Sequence, residues 1–118
     1  MKAATGKQVG PLTGAKWCAI CYNAKQRGID VDVTQKQAAA LFEIQQGLCA
    51  LSGVVLVLDA PRPKITASLD RIDSSRGYVW GNVRWVHKQV NVMKNDLDER
   101  EFLKWVRLIA QKQACPAT

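Results

Sequence analysis

The apolar residues of the N-terminal half follow a helical period. Within residues 15–27 they recur every three or four positions, and Gly28 follows directly, as glycine does at the end of many helices. Thr34 and Gln37 have the spacing of a capping box, and the apolar positions after them predict a second helix that ends at Gly47. The first part of the chain is therefore predicted to contain two helices.

The middle of the chain changes to patterns that are typical of extended strands. The apolar run 54–58 predicts a strand, and a proline-containing loop follows it. Residues 66–72 alternate between apolar and polar, residues 73–77 have the composition of a turn, and residues 82–86 alternate again. We expect the last two segments of alternating residues to pair as an antiparallel hairpin.

The C-terminal third returns to a helical pattern. A helix is predicted from about residue 87 to 95, and Asp98 with Glu101 forms a second capping box that opens an amphipathic helix over 98–112. Residues 1–13 contain glycine and proline and are expected to be a flexible lead-in. The predicted fold class is α+β, with two helices, a hairpin crossed by a helix, and a closing helix.

Length and composition limit the organisation of the protein. The 118 residues, of which 47% are hydrophobic, suit one domain over residues 1–118 with a modest core. No apolar run approaches the roughly 20 residues that span a bilayer, and the N-terminus lacks the core of a signal peptide. We therefore expect a cytoplasmic protein, in a bacterium or a phage-infected host cell, with no membrane partner.

The charge of the chain favours a polyanionic partner. Lys and Arg number 17 against 10 Asp and Glu, which gives a net charge of +7. Neutralising nucleic-acid phosphates releases counterions and supplies affinity without sequence specificity. Because many small basic proteins are merely soluble, charge alone does not decide between nucleic-acid binding and solubility.

One polar segment combines side chains that suit metal-assisted chemistry. Asp70, Asn82, Asn91 and Lys94 lie close together in the sequence, around a turn rich in glycine and serine. Hard divalent cations take carboxylate and carboxamide oxygens as ligands and keep several waters for a phosphate substrate. A basic protein with such a segment is a candidate nuclease.

The same residues carry a resemblance to a known family. The chain resembles the HNH (His-Me finger, ββα-metal) endonucleases, particularly the small phage and homing-type members. The matching segments are 49–53, 68–78, 81–86 and 91–94, together with the helix end at 23–29. The resemblance implies a ββα-metal unit over residues 66–95 with flanking N-terminal and C-terminal helices. It also implies a metal-dependent endonuclease that hydrolyses phosphodiester bonds of double-stranded DNA by nicking or double-strand cleavage.

Individual roles follow from the resemblance, position by position. Asp70 matches the metal-binding aspartate at the end of the first strand, and Asn91 matches the metal ligand on the helix. Asn82 matches the asparagine that braces the loop, and Lys94 matches a basic residue one turn after Asn91. The implied cofactor is Mg²⁺ or Mn²⁺.

The chain departs from the family at the position of the general base. The family has a histidine directly after the aspartate, and this chain has Arg71, which cannot accept a proton from water. Arg71 could instead clamp the scissile phosphate or stabilise its charge. His87, the single histidine, lies one helical turn before Asn91, where it could act as the base or merely cap the helix. The residue pattern leaves both roles open.

Basic residues cluster around the motif, where contacts to DNA phosphates are wanted. The expected nucleic-acid contacts are Arg71, Arg76, Arg84, Lys88 and Lys94. The alternative is that the chain is a catalytically silent HNH-fold protein with a DNA-binding or regulatory function. The arginine at the position of the general base would then indicate that catalysis has been lost. We expect a monomer or a homodimer.

The cysteines raise a third possibility, a small adaptor stabilised by zinc. Cys18 and Cys21 have the spacing of half a zinc site, and the remaining candidate ligands are Cys49, Cys115 and His87. The first two cysteines also fit helical positions that face a core, where free cysteine behaves as a small hydrophobic residue. Zinc is therefore possible but not favoured, and the thiols are expected to be reduced.

Overall fold

The computed structural model describes residues 12–61 and 63–114. Most of the predicted lead-in lies outside these residues, as do Arg62 and Cys115. Within the described part, four helices and one antiparallel hairpin form an α+β fold, as the sequence predicts. No helix in this part is long and apolar enough to cross a membrane.

Helix α1 spans Gly14–Gln26. The Thr13 side chain accepts a hydrogen bond from the backbone N–H of Lys16 at 3.1 Å, which satisfies one of the unpaired donors at the helix start. Gly28 lies two residues beyond the helix with a φ of +71°, a left-handed conformation that glycine adopts without steric cost. The chain then turns into an extended link in which Val31 bridges to Tyr78.

Helix α2 spans Gln35–Ile44 and begins with the predicted capping box. Thr34 Oγ1 accepts from the Gln37 backbone N–H at 3.0 Å, and Gln37 Oε1 accepts from the Thr34 backbone N–H at 2.9 Å. The helix ends before Gly47, whose φ is +70°. Local sequence signals therefore determine both ends of this helix.

The hairpin consists of β1 (Ala67–Arg71) and β2 (Val83–His87). Their antiparallel register pairs Asp70 with Arg84 and Leu69 with Trp85. Because side chains alternate along a strand, Leu69 and Trp85 lie on one face and Asp70 and Arg84 lie on the other. One face can therefore build a core while the other carries charge.

Trp85 joins the hairpin to α2. It is fully buried, its Nε1 donates to the carbonyl of Ala38 at 2.9 Å, and its ring meets Phe42 edge to face at 6.0 Å. The Gln45 side chain donates from Nε2 to the carbonyl of Trp85 at 2.9 Å, and its Oε1 accepts from the backbone N–H of Trp85 at 2.8 Å. Buried residues packed in the same core include Leu12, Ala24, Val33, Cys49, Leu56, Leu58, Leu69, Tyr78, Val83 and Val86.

The predicted strand at 54–58 is wrong. This segment makes one isolated bridge, between Leu48 and Val55, and no strand. Leu56 donates its backbone N–H to the carbonyl of Gly47, whereas Val57 donates to the side chain of Thr66. Leu56 and Leu58 of the apolar run are buried, but the hydrogen bonds of the run go to separate segments, around Gly47 and around Thr66–Ala67, and form no continuous ladder.

Two helices follow the hairpin, α3 (Lys88–Lys94) and α4 (Glu99–Ala114). Helix α3 packs against both strands. At the start of α4, the Asp98 side chain accepts from the backbone N–H of Arg100 at 3.0 Å. The predicted capping box of Asp98 and Glu101 does not form, because Asp98 caps Arg100 instead and Glu101 accepts from Trp105 Nε1 at 2.8 Å.

Candidate functional site

The strand and the helix that carry the candidate metal ligands Asp70 and Asn91 contact each other on one face of the hairpin. Asn91 Nδ2 donates to Ser68 Oγ at 2.7 Å, and Lys94 Nζ lies 3.5 Å from Asp70 Oδ1. Ser68 and Asp70 are two residues apart on β1, and Asn91 and Lys94 are three apart on α3, so each pair shares a side of its element. We call this group of four residues the β1–α3 face.

Asp70 is the centre of a buried charge cluster on that face. Its Oδ2 accepts from Arg84 Nε at 3.0 Å, and its side chain is 5% exposed. Lys94 is fully buried and also donates to the carbonyl of Arg71 at 3.2 Å. Arg84 Nη2 lies 2.9 Å from Glu99 Oε1 in an orientation that makes an ion pair without a hydrogen bond. The two negative charges of Asp70 and Glu99 thus compensate the two positive charges of Arg84 and Lys94. Charged side chains are buried in proteins when they are paired in this way.

The donor chemistry of the β1–α3 face fits a hard divalent ion. Carboxylate, carboxamide and hydroxyl oxygens are available from Asp70, Asn91 and Ser68, and the Lys94 ammonium already marks a cation position beside Asp70. Within residues 12–61 and 63–114 no three His, Cys, Asp or Glu cluster as metal ligands, and Asp70 is the charged member of the proposed pair. An ion at Asp70 would therefore compete with Lys94 for the carboxylate.

Asn82 holds the turn that joins the two strands. It is 1% exposed, and its side chain makes three hydrogen bonds. Oδ1 accepts from the Asp73 backbone N–H at 2.9 Å, while Nδ2 donates to the carbonyls of Asp73 and Gly77 at 3.1 and 2.9 Å. The carboxamide thus replaces the backbone partners that residues in this turn lack.

We expect Asn82→Ala to lower the free energy of unfolding by about 1–3 kcal/mol for the buried polar groups it leaves without a partner. The nuclease activity expected from the sequence should fall as well, because the turn loses its order. Thermal melting by circular dichroism measures the first effect and a plasmid assay the second. Asn82→Asp is the matched control, since it keeps the acceptor for Asp73 and loses the donor. An alanine variant with unchanged melting temperature and full activity would contradict this role.

Asp73 itself is a turn residue, as its sequence context indicates. Its Oδ1 accepts from the Ser75 hydroxyl at 2.7 Å and from the Ser75 backbone N–H at 2.9 Å, the pattern of an Asx turn. These hydrogen bonds stabilise the carboxylate and lower the pKa of Asp73 below its ordinary value. The carboxylate is thereby engaged within the turn.

Arg71 is bound to the same turn. Its Nη1 donates to the carbonyls of Ser74 and Arg76 at 2.6 and 3.0 Å, and its guanidinium lies 5.6 Å from the centre of the Tyr78 ring. Nη2 is 4.0 Å from a carboxylate oxygen of Asp96, and the side chain is 11% exposed. In this conformation Arg71 stabilises the turn, and its role toward a phosphate stays a prediction.

His87 is the N-cap of α3. Its Nδ1 accepts from the backbone N–H of Gln89 at 3.0 Å. A neutral imidazole whose Nδ1 accepts carries its proton on Nε2, so this tautomer has no free ring lone pair for a proton from water. His87 is also three strand positions from Arg84, which puts it on the opposite face of the hairpin from Asp70. The geometry supports the capping role, and the role as base stays a prediction.

The five side chains expected to contact DNA differ in their exposure to solvent. Lys94 is fully buried, and the side chains of Arg84 and Arg71 are 12% and 11% exposed, because all three are engaged in internal contacts. Only Arg76 and Lys88 of the five candidates are exposed. Sequence proximity to the motif therefore did not indicate accessibility.

Sequence reasoning missed a polar side of α1 that borders the β1–α3 face. Lys16, Asn23 and Arg27 line a cavity together with Ser68 and Asn91. Lys16 and Asn23 of α1 and the C-cap Arg27 are separated by seven and four positions, a spacing that places them on one side of a helix. This spacing is visible in the sequence and could have predicted the polar side of α1.

The cysteines do not gather into a metal site within the described residues. Cys18 is exposed and Cys21 partly buried on α1, while Cys49 lies in the core. Burial and the neighbouring Cys18 raise the pKa of Cys21. Burial alone would raise the pKa of Cys49, but hydrogen bonds from Ser52, and from the backbone N–H of His87 at 3.3 Å, lower it overall. Cys49 thus acts as an acceptor that joins two turns.

The fold was compared with known proteins. It matches the solved structure of PacI, a rare-cutting HNH restriction endonuclease that perturbs DNA by an unusual mechanism, with a TM-score of 0.58. The match covers 81% of this chain and 75% of PacI, at 22% sequence identity. The chain has an HNH-type fold. No protein-family model and no curated protein matches its sequence.

This HNH-type fold confirms the predicted α+β architecture and the resemblance that the motif carried. The hairpin and α3 form the ββα unit, and α1, α2 and α4 flank it in the predicted order. At 22% identity the comparison concerns the fold, and the chemistry of the site depends on its own residues.

Proposed function

We propose that this chain is a DNA endonuclease that hydrolyses phosphodiester bonds at the β1–α3 face. The observation that carries the proposal is that Asp70 and Asn91, from different elements, lie on one face of the ββα unit, in contact with Lys94 and Ser68 respectively. The HNH-type fold and the net charge of +7 support a DNA substrate. A double-stranded substrate and a phage-encoded origin are further parts of the proposal.

A divalent ion, Mg²⁺ or Mn²⁺, belongs to the proposed activity, with Asp70 and Asn91 as the residues that would hold it. When bound, such an ion supplies Lewis-acid stabilisation of the phosphate charge. Asn91 would present its carboxamide oxygen, because Nδ2 is oriented by Ser68. Lys94 would leave Asp70 and remain near the carbonyl of Arg71, its second partner.

The remaining candidates position this face. Asn82 and Arg71 hold the turn between the strands through hydrogen bonds to its backbone. Arg84 links Asp70 to Glu99 at the start of α4, so the carboxylate cannot rotate freely. We propose that these contacts orient Asp70 for its task.

A catalytically silent HNH-fold DNA-binding protein is the second candidate. One observation favours it: the Asp70 carboxylate is already compensated by Arg84 and Lys94. In such a protein the cluster would serve stability alone. The two functions differ in a single measurable property, the cleavage of DNA.

The decisive experiment incubates supercoiled plasmid with the protein and Mg²⁺, Mn²⁺ or EDTA. The proposal expects nicked or linear product with an ion and none with EDTA. Gln89→Ala, on the exposed side of α3, serves as the control for preparation quality. Intact plasmid in all arms, with retained DNA binding, would establish the silent alternative. Cleavage in EDTA would overturn the metal requirement, but it would still support the proposal that the chain is an endonuclease.

The role of His87 is tested with two substitutions. We expect His87→Asn to keep cleavage near the wild-type rate, because asparagine caps a helix well and cannot act as a base. His87→Ala should lower the free energy of unfolding by about 0.5–2 kcal/mol through loss of the cap. Initial cleavage rates and thermal melting are the measurements. A fall of about 10² to 10⁴ in the rate of both folded variants would instead identify His87 as the general base.

A further inference from the structure

A cavity of about 750 Å³ lies beside the candidate site, between α1 and the ββα unit. Its walls come from α1, from the loop before β1, from β1 itself and from α3. Ser68 and Asn91, the hydrogen-bonded pair of the β1–α3 face, belong to its lining. We call this cavity the α1 cleft, and it is continuous with the proposed catalytic face.

The charged residues of the α1 cleft are all basic. Lys16 contributes from α1, Arg27 from the C-cap directly after α1, and Lys88 from the start of α3. Among the residues that the structure describes, the lining contains no Asp or Glu. Asn23, Ser68 and Asn91 add uncharged polar groups. A concave surface with cations, amides and no carboxylate concentrates positive potential, because low-dielectric walls focus the field.

Two of these cationic side chains, Arg27 and Lys88, are accessible to a ligand, unlike the buried cations around Asp70. Arg27 and Lys88 are exposed, and among the described residues neither makes an ion pair, whereas Arg71, Arg84 and Lys94 all do. The Nζ of Lys88 donates to the carbonyl of Pro63 at 3.1 Å, which holds its ammonium at the cleft wall without a counter-charge from the described part of the chain. Arg84 and Lys94 thus compensate Asp70 inside the fold, whereas Arg27 and Lys88 lie exposed at the cleft.

We propose that the α1 cleft binds the phosphate backbone of DNA next to the cleaved bond, with Arg27 and Lys88 as the phosphate contacts. This inference rests on the proposed endonuclease function and assigns substrate binding to α1, outside the ββα unit. A strand that crosses the cleft passes Asn91 and Ser68, so the cleft would lead the backbone onto the catalytic face. The Asn23 carboxamide supplies a further donor along the same path.

The test measures how the affinity for a short DNA duplex depends on salt, in EDTA so that no cleavage occurs. Each lost phosphate contact reduces the slope of log K against log[salt] by about 0.9. Arg27→Gln with Lys88→Gln should therefore reduce the slope by about 1.8. Between 50 and 200 mM salt, wild type should lose roughly tenfold more affinity than this double variant.

The matched control is Lys36→Gln with Lys112→Gln, which removes the same charge from exposed positions on α2 and α4 outside the cleft. Its slope should equal that of wild type. Arg27→Lys with Lys88→Arg keeps both charges and should restore the slope. Equal loss of slope in the cleft and control pairs, or no loss in either, would overturn the cleft as the DNA site.

The plasmid assay separates this inference from the proposed function. A cleft-specific change of slope in a protein that does not cut DNA would support the cleft and overturn the endonuclease. Cleavage by wild type together with an unchanged slope in the cleft variant would support the endonuclease and overturn the cleft. Thermal melting of each variant verifies that the exposed substitutions leave the fold intact.

Discussion

Asp70→Ala is expected to destabilise the protein by about 3–5 kcal/mol and to abolish cleavage. The carboxylate is the partner of Arg84 at 3.0 Å and of the fully buried Lys94 at 3.5 Å. Removing it leaves a buried ammonium without a counter-charge and removes the one charged residue among the proposed metal ligands. For a domain of this size, each kcal/mol lowers the melting temperature by roughly 4–8 °C.

A double variant distinguishes the charge cluster from mere loss of side-chain volume. Asp70→Ala combined with Lys94→Met removes both charges and should recover much of the lost stability, although cleavage stays absent. Lys94→Met alone should destabilise less, because Asp70 keeps Arg84 as its partner. Additive losses in the double variant would show that Asp70 and Lys94 do not interact and would contradict the cluster.

Asn91→Ala is expected to reduce cleavage by more than about 100-fold while the fold and the DNA affinity persist. Asn91 is partly exposed and its side chain makes one hydrogen bond, to Ser68, so little stability depends on it. The proposed carboxamide ligand would nevertheless be lost. Initial rates on supercoiled plasmid and duplex affinity in EDTA provide the two readouts.

Ser68→Ala is the control for this substitution. It removes the same hydrogen bond from the strand side and keeps the carboxamide, so cleavage should fall less than in Asn91→Ala. Wild-type cleavage by Asn91→Ala would show that Asn91 is not a ligand. Equal losses in both variants would show that the hydrogen-bonded pair, and not the carboxamide oxygen alone, is required.

Local sequence signals predicted most of the helices and the hairpin. The capping box of Thr34 and Gln37 forms with both hydrogen bonds, and glycines with positive φ follow α1 and α2. The alternation in residues 66–72 and 82–86 predicted the strands to within one residue at each end. These features depend on neighbours only a few positions away, which a sequence displays directly.

The run 54–58 shows the limit of such signals. Its apolar residues predict an extended segment, and Leu56 and Leu58 are indeed buried. A strand also needs a continuous partner, and the carbonyl of Gly47 and the side chain of Thr66 are separate acceptors. Whether an extended segment is a strand is decided by pairing, which local periodicity does not contain.

The sequence by itself determined the ββα order and brought Asp70, Asn82 and Asn91 into one motif. Only the tertiary structure decided that Lys94 and Arg84 face inward to compensate Asp70, and that Arg27 and Lys88 remain at the surface. The physical reason is that a buried carboxylate requires nearby cations, and the packing of α3 and α4 on the hairpin selects which ones. The net charge follows from the residue types alone. Whether each charged side chain is buried or exposed depends on the fold.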